Sequence, residues 1–162
     1  MDILLKLEDV MVENVVTVEE RATVKKTAEL MNKHDIGCLI VLKKGAPDGI
    51  VTERDMLKRI LLGSKNPEKT KVSEIMSKPL ITGKPQMTIE DAAKLMFKRD
   101  IKKLPVTQNG QLVGLVTLTD LVRSERIIKM LKKLPDEKTA KRMKRVVDHF
   151  NRIISISYER DA

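Results

Sequence analysis

The chain has 162 residues, of which 41% are apolar and 34% are charged, so it can bury one sizeable core or two small ones. No apolar run approaches the ~20 residues of a membrane span, and the first residues lack the long apolar region of a signal peptide. The single cysteine excludes an internal disulfide and a cysteine-rich zinc site. These absences indicate a cytoplasmic protein.

The net charge of +9 is distributed unevenly along the chain. Residues 123–162 carry 12 basic and 6 acidic residues, whereas the first 122 residues carry 20 and 17. A basic domain can indicate nucleic-acid binding, but only 2% of the residues are aromatic and tryptophan is absent. The basic character is therefore mainly a property of the C-terminal segment.

The chain contains an internal repeat of 65 residues. Without a gap, Val10–Leu57 aligns with Ile75–Val122, and 16 of the 48 pairs are identical. The identities used below are Met11/Met76, Thr17/Thr82, Thr23/Thr88, Asp35/Asp100, Gly49/Gly114, Thr52/Thr117 and Asp55/Asp120. The sequence therefore predicts one structural unit present twice.

Each copy opens with a short extended piece, at residues 14–18 and 79–83, followed by an amphipathic helix. In the second copy, apolar residues recur at helical spacing at Ile89, Ala92, Ala93 and Met96. Thr23 and Thr88 precede these helices and are expected to be their N-caps.

Two strands and a second helix complete each copy. The first strands are predicted at 37–42 and 103–108, and a turn follows at Gly45 or at Asn109–Gly110, a strong hairpin signal. The next strands carry GIVT and GLVT and lead directly into a helix. The order is β-α-β-β-α, twice, with a polar linker at 63–72.

The predicted fold is therefore α+β. Repeat 1 spans 8–64, repeat 2 spans 72–134, and 135–162 form a basic C-terminal amphipathic helix. Because a unit of about 50 residues buries too little surface to be stable alone, we expect the two copies to share a core as a pseudo-twofold pair.

Two stretches, GIVTERD (49–55) and GLVTLTD (114–120), carry a threonine and an aspartate three residues apart where a strand meets a helix. One interpretation is a capping box, in which each side chain hydrogen-bonds the other residue's backbone N–H. A second interpretation uses the same geometry for a ligand. Free N–H groups at a helix start attract phosphate, and a carboxylate can accept hydrogen bonds from ribose hydroxyls. Gly49 and Gly114 would then let a ligand approach the backbone.

The repeat resembles the CBS domain, and the tandem resembles a Bateman module. The resemblance covers about residues 8–134 and is carried by three motifs in each copy. They are the G-h-x-T-x-x-D stretches, the D-x-x-x-L-x-V runs at 35–41 and 100–106, and the triplets DVM (9–11) and EIM (74–76). The family implies a non-catalytic regulatory pair that binds AMP, ADP, ATP or S-adenosylmethionine in clefts between the repeats, and often a homodimer.

The resemblance implies two clefts, in which Asp holds the ribose, Thr touches phosphate, and residues before a strand of the partner repeat face the phosphates. The first cleft would contain Val16, Thr17, Thr52, Arg54 and Asp55, with Lys102 and Lys103 from the other copy. The second would contain Ile81, Thr82, Thr117 and Asp120, with Gly37 and Cys38 from the other copy.

Charge distinguishes these clefts. We expect phosphates to prefer the first cleft, because it contains Lys102, Lys103 and Arg54. The second cleft has a glycine and a cysteine instead, so we expect it to be empty or to bind a less charged adenosine compound. The alternative for the two lysines is ordinary solvated side chains. No metal-ligand spacing surrounds His34 or His149, and no catalytic set accompanies the motifs, so we expect neither a metal nor an enzyme.

The C-terminal helix is predicted at roughly 137–154, with an apolar seam of Met143, Val147, Phe150 and Ile154. It would pack on its own module or on a twin subunit, or present a basic face to nucleic acid or an acidic partner. The predicted function is an adenosine-ligand sensor that signals to an effector protein. The alternatives are a nucleic-acid-binding protein regulated by the pair, and a structural dimerisation module with empty clefts.

Overall fold

The structure is a computed structural model that describes residues 5–122 and 141. It confirms the α+β class and the repeated order of elements. The predicted end of repeat 2 after residue 122 and the predicted C-terminal helix lie outside the described residues, apart from Lys141, which is helical and exposed. In the part of the chain that is described, no helix has both the length and the apolar character needed to cross a membrane.

The elements follow the predicted order, except that the opening piece of the second copy forms no strand. The first copy contains α1 (Leu7–Val10), β1 (Thr17–Glu19), α2 (Val24–His34), β2 (Cys38–Lys43), β3 (Ala46–Thr52) and α3 (Glu53–Met56), which continues as a π-helical turn, Leu57–Leu61. The second contains a 3-10 turn (Val72–Glu74), α4 (Ile89–Arg99), β4 (Lys103–Gln108), β5 (Gln111–Thr117) and α5 (Leu118–Val122).

The copies differ in their opening extended pieces. In the first copy, β1 pairs in parallel with β2, from Thr17↔Ile40 to Glu19↔Leu42. In the second copy, 79–83 forms no strand and makes one parallel bridge, between Gly83 and Val106. Pro85 stands where the first copy has Glu20, whose backbone N–H donates to Leu42 O at 2.8 Å, so the second copy cannot make that bond.

Both hairpins turn at the predicted positions. Lys44 and Gly45 have φ of 51° and 79°, and Asn109 and Gly110 have φ of 52° and 76°. Positive φ at both central residues is the type I′ arrangement, which matches the twist of the flanking strands. The first sheet has the order β1-β2-β3, and β4 and β5 form a second, two-stranded sheet.

The long helices begin and end in the same way. The Thr23 hydroxyl accepts a hydrogen bond from Lys26 N (3.2 Å), and the Thr88 hydroxyl accepts one from Asp91 N (3.1 Å), which confirms the predicted N-caps. Asp35 and Asp100 end α2 and α4 in the left-handed conformation, with φ of 51° and 56°. A short polar side chain tolerates this conformation, which explains the aspartate that opens each D-x-x-x-L-x-V run.

The chain divides into two compact units, each discontinuous in sequence. Among the described residues, unit 1 comprises 5–10, 86–104 and 116–122, and unit 2 comprises 11–85 and 105–115. Unit 2 has a core of buried apolar side chains from both copies: Val18, Val24, Met31, Leu39, Val41, Val51, Ile60, Val72, Ile75 and Met76. In unit 1 the buried apolar residues include Leu7, Ile89, Ala92, Ala93, Met96, Phe97, Leu118 and Leu121.

Each copy begins with a lead segment, residues 5–12 or 70–77, that pairs with the other copy. In unit 1, residues 5–7 pair with 87–89, and in unit 2 the equivalent residues 70–72 pair with 22–24. These pairings use backbone hydrogen bonds of 2.8–3.0 Å. The predicted linker therefore ends in a segment that is bound to the first copy.

The ends of the lead segments make a second reciprocal pairing, within unit 2. Val12 exchanges two backbone hydrogen bonds of 3.0 Å with Leu115, and Ser77 exchanges bonds of 2.8 and 3.1 Å with Ile50. Both pairs are related by the 65-residue shift. This mutual exchange is the relation expected of the predicted pseudo-twofold pair.

Candidate functional site

At the end of β3, Thr52 and Asp55 form a closed cap at the start of α3. Thr52 N and Thr52 Oγ1 both donate to Asp55 Oδ2, at 2.9 and 3.1 Å. In return, Asp55 N donates to Thr52 Oγ1 at 3.3 Å. The capping-box interpretation is therefore confirmed, and both side chains are half-buried.

Thr117 and Asp120 repeat this geometry at the end of β5. Thr117 N and Oγ1 donate to Asp120 Oδ2 at 2.9 and 2.6 Å, and Asp120 N donates to Thr117 Oγ1 at 3.2 Å. A capping role does not exclude a ligand, because both hydrogen bonds to the carboxylate use Oδ2. Among the described residues, none donates a hydrogen bond to Asp120 Oδ1, so that oxygen can accept a ligand hydroxyl.

Arg59 distinguishes the first cap and was not among the predicted site residues. Its Nε lies 4.0 Å from Asp55 Oδ1, and its Nη1 donates to the carbonyl oxygens of Ile75 and Met76. The equivalent position in the second copy is Ser124, which carries no charge. The signal for Arg59 was present in the sequence, because residues four apart on a helix are neighbours and opposite charges there attract.

Within each copy, the residues that precede the strand after the long helix lie beside that copy's own cap. Gly37 O accepts from Glu53 N at 3.1 Å in unit 2, and Lys102 O accepts from Leu118 N at 2.8 Å in unit 1. Cys38 also pairs with Thr52 across β2 and β3. The sequence-based grouping instead assigned each pair to the cap of the other copy.

Hairpin geometry could have indicated this neighbourhood. Counting back along β4 and β5 from a two-residue turn at Asn109–Gly110 places Lys102 and Lys103 opposite the end of β5, near Thr117. The predicted clefts each combine residues of both units, and the structure describes each unit by itself. Both clefts therefore stay predictions.

The remaining predicted residues are found at strand ends or on the surface. Thr17 pairs with Ile40, so it lies with Thr52 at the end of the first sheet where β2 begins. Arg54 and Lys102 are exposed, and Cys38 is buried. Outside the two caps, the half-buried members of the predicted set are Val16, Thr17, Gly37, Ile81, Thr82 and Lys103. No group of three or more potential metal-ligating side chains occurs among the described residues.

The glycines of the two motifs have a different role from the predicted one. A Cβ at Gly49 would lie 2.6 Å from Met76 Sδ and 3.0 Å from Met76 Cγ. A Cβ at Gly114 would lie 2.8 Å from Met11 Cγ and 3.1 Å from its Cβ. The space beside each glycine is filled by the methionine that closes the other copy's opening triplet. Packing between the copies, and not the approach of a ligand, therefore requires these glycines.

Comparison with known proteins identifies the repeat. The family model for the CBS domain matches residues 7–62 and 72–126. The chain is 37% identical over 115 residues to the CBS domain-containing protein YhcV of Bacillus subtilis, a match that covers 71% of this chain and 81% of that protein.

Solved structures agree with this result. The CBS domain protein TA0289 of Thermoplasma acidophilum superposes with a TM-score of 0.71 at 29% identity, covering 78% of this chain and 74% of that one. The hexameric CBS-CP12 protein of bloom-forming cyanobacteria superposes with a TM-score of 0.72 at 26% identity, covering 98% and 91% of the two chains. The chain therefore belongs to the CBS domain family and carries two CBS domains in tandem.

Proposed function

We propose that this tandem CBS protein is a non-catalytic regulatory module that binds an adenosine ligand, AMP, ADP, ATP or S-adenosylmethionine, and signals the bound state to a partner protein. The observation that carries the proposal is the pair of half-buried Thr-x-x-Asp caps with matching geometry. Each holds a carboxylate in a fixed orientation at a helix start. In the second copy, Asp120 Oδ1 is left open to a ligand by the described residues.

The chemistry of each cap fits a ribose and its phosphate. The carboxylate accepts from ribose hydroxyls through Oδ1 while Oδ2 keeps its bond to the threonine N–H. A phosphate near the threonine would accept the hydrogen bond that the hydroxyl now donates to Oδ2, because a hydroxyl rotates freely to suit its partner. One charge-assisted hydrogen bond is then exchanged for another, because the carboxylate and the phosphate are both anionic acceptors.

The two lysines favour a phosphate-bearing ligand. Lys103 is half-buried at the start of β4, and Lys102 is exposed beside it. The sequence-based grouping places them with Thr52 and Asp55, and their neighbourhood in unit 1 places them beside Thr117. In the first cap, Arg59 competes for Asp55 Oδ1, and this weakens the cap's hold on a ribose. We therefore expect the two caps to differ in affinity.

A thermal-shift experiment tests ligand binding. AMP, ATP, S-adenosylmethionine and adenosine are added at about 100 times Kd, where binding to the folded state stabilises by about 2.7 kcal/mol. For a chain of this size that corresponds to a rise in melting temperature of about 5–10 °C. Asp55→Asn and Asp120→Asn keep an oxygen for the backbone cap but remove the charge. Glu19→Gln, at the exposed last residue of β1, is the matched control.

The proposal predicts a shift in the control that is reduced in at least one of the two Asp→Asn variants. No shift with any of the four compounds would overturn ligand binding and favour the structural module with empty clefts. Combining Lys102→Met and Lys103→Met with each Asp→Asn variant then shows which of the two caps acts together with the lysines. The non-additive combination identifies the carboxylate that acts on the same ligand.

The partner and the assembly are also proposals. The structurally similar CBS-CP12 protein is hexameric, which supports self-association of this chain, and the sequence favours a homodimer. Light scattering with and without ligand measures the assembly. Binding of duplex DNA that weakens steeply with salt and is lost on removing residues 135–162 would favour the nucleic-acid alternative. The cytoplasmic location stays a prediction.

A further inference from the structure

A second concave site lies within unit 2, on residues that are not part of either cap. The cavity has a volume of about 670 Å³. Its polar lining includes Asp48, Lys78, Thr82 and Thr107, and Pro47 and Leu80 contribute apolar wall. Thr82 is the one residue of the predicted clefts in this lining. A cavity of this size with a few polar groups on apolar walls is typical of small-molecule sites.

Asp48 reaches this cavity from an irregular position in β3. Val41 pairs with Gly49 and Leu42 pairs with Pro47, so Asp48 is the extra residue of a β-bulge. A bulge re-aims the side chain of the extra residue, and bulges are over-represented next to functional sites. The equivalent residue of the second copy is Val113, so an apolar side chain is compatible with this position of the repeat.

The half-buried side chain of Asp48 has one carboxylate oxygen without a hydrogen-bond donor. Its Oδ2 is buried, and no described residue donates to it. A buried acceptor without a donor destabilises a fold, more so when it carries charge. The repeat could have avoided this by placing an apolar residue there, as it does at Val113. Because Oδ2 is enclosed, a ligand in the cavity can bind the carboxylate only through Oδ1.

Lys78 supplies the opposite charge on the same cavity. Its side chain is exposed and forms no ion pair with any residue in the described part of the chain. The cavity is thus lined by one carboxylate that can accept a hydrogen bond and by one ammonium group that can bind an anion. Hydroxyls of Thr82 and Thr107 can donate or accept, and the proline and leucine walls suit a short apolar group.

We infer that this cavity binds a small zwitterion of the α-amino acid type. The ligand's ammonium group donates to the Asp48 carboxylate, and its carboxylate binds the Lys78 ammonium. Its side chain lies against Pro47 and Leu80. This site shares Thr82 with the predicted second cleft, but none of the four cap residues lines it.

The test is a thermal-shift screen of the full chain with each standard L-amino acid at about 10 mM, far above the Kd of a specific site. The variants are Asp48→Val, which installs the residue found at the equivalent position of the second copy, and Lys78→Met. Lys84→Met, an exposed lysine outside the cavity, is the matched control. For the amino acid with the largest shift, its N-acetyl and carboxamide derivatives are tested as well.

At least one amino acid is expected to raise the melting temperature of the control and of Asp55→Asn and Asp120→Asn. Asp48→Val and Lys78→Met should each weaken that binding at least tenfold, and both blocked derivatives should fail to bind. Without ligand, Asp48→Val should melt at the same or a higher temperature, because a buried carboxylate oxygen without a donor is removed. Three results would each overturn the inference: no shift with any amino acid, a shift that Asp48→Val retains, or a melting temperature of ligand-free Asp48→Val below that of wild type.

Discussion

Replacing Gly114 by alanine should destabilise the fold through a steric conflict with Met11. The new Cβ would lie 2.8 Å from Met11 Cγ and 3.1 Å from its Cβ, and closer still to its sulfur. The conflict includes the inner part of the side chain, so moving the thioether alone does not relieve it. Overpacking of this kind costs about 1–3 kcal/mol. For a chain of this size, 2 kcal/mol lowers the melting temperature by about 4–8 °C.

The assay is urea unfolding of four proteins: wild type, Gly114→Ala, Met11→Ala and the double variant. Met11→Ala removes the side chain that conflicts with the new methyl group, so the double variant should be more stable than the sum of the single effects by at least 0.5 kcal/mol. The equivalent cycle of Gly49 and Met76 should behave alike. There the backbone carbonyl of Ser77, 3.0 Å from the Cβ position, leaves a larger residual cost in the double variant.

Strict additivity in the Gly114 cycle would refute the packing explanation. So would a Gly114→Ala protein of unchanged stability. If that protein were as stable as wild type but bound adenosine ligands more weakly, the glycine would serve ligand approach, as the sequence first indicated.

Three further outcomes are expected. Asp120→Ala removes the acceptor for Thr117 N and Oγ1 and should cost about 1 kcal/mol in denaturant unfolding, whereas Asp120→Asn should cost less, and equal costs would contradict the capping geometry. Gly110→Ala forces a side chain into a backbone with φ of 76° and should cost about 1–2 kcal/mol, although the space around it is open. Lys25 donates a hydrogen bond to the Glu68 carboxylate, and this bond lowers the pKa of Glu68 below 4.5 and raises the pKa of Lys25 above 10.5. The pair therefore stabilises the fold between these values and stops contributing as pH falls through the Glu68 pKa. The melting temperatures of wild type and Glu68→Gln should converge in acid and separate above pH 4.5, and a difference that is constant with pH would contradict the pair.

Features that depend on neighbouring residues in the chain were predictable. Thr23 and Thr88 cap their helices because an N-cap needs only a side-chain oxygen and the N–H groups of the next turn. The turn at Asn109–Gly110 follows from the tolerance of these residues for positive φ. The Thr-x-x-Asp pairs form capping boxes for the same reason.

Some differences between the structure and the sequence-based predictions could have been recognised in the sequence, although the alignment of the repeats drew attention away from them. Residues 79–83 align with 14–18, yet Pro85 follows this piece at the position of Glu20 and lacks the N–H that Glu20 donates, and the pairing is a single bridge. The hairpin of β4 and β5 brings Lys102 close to the end of β5, although the family resemblance had assigned this lysine to the cap of the first copy.

The lead segments could not be predicted from local pattern. Their pairings are single bridges between residues distant in the chain, and no alternation of apolar and polar residues announces them. Only the acids of the opening triplets have a local role, since Asp9 accepts from Lys6 N and Glu74 from Lys71 N, each at 2.8 Å. The bulge at Asp48 is likewise set by tertiary pairing.

The crossed lead segments have a consequence for a single repeat expressed by itself. Such a polypeptide would have a lead segment without its pairing partner, and the backbone groups that normally bind the other copy's lead segment would be unpaired. Two identical polypeptides would satisfy each other by trading these segments, as in a domain-swapped homodimer. The fused chain keeps the same exchange inside one molecule, where dilution cannot separate the partners.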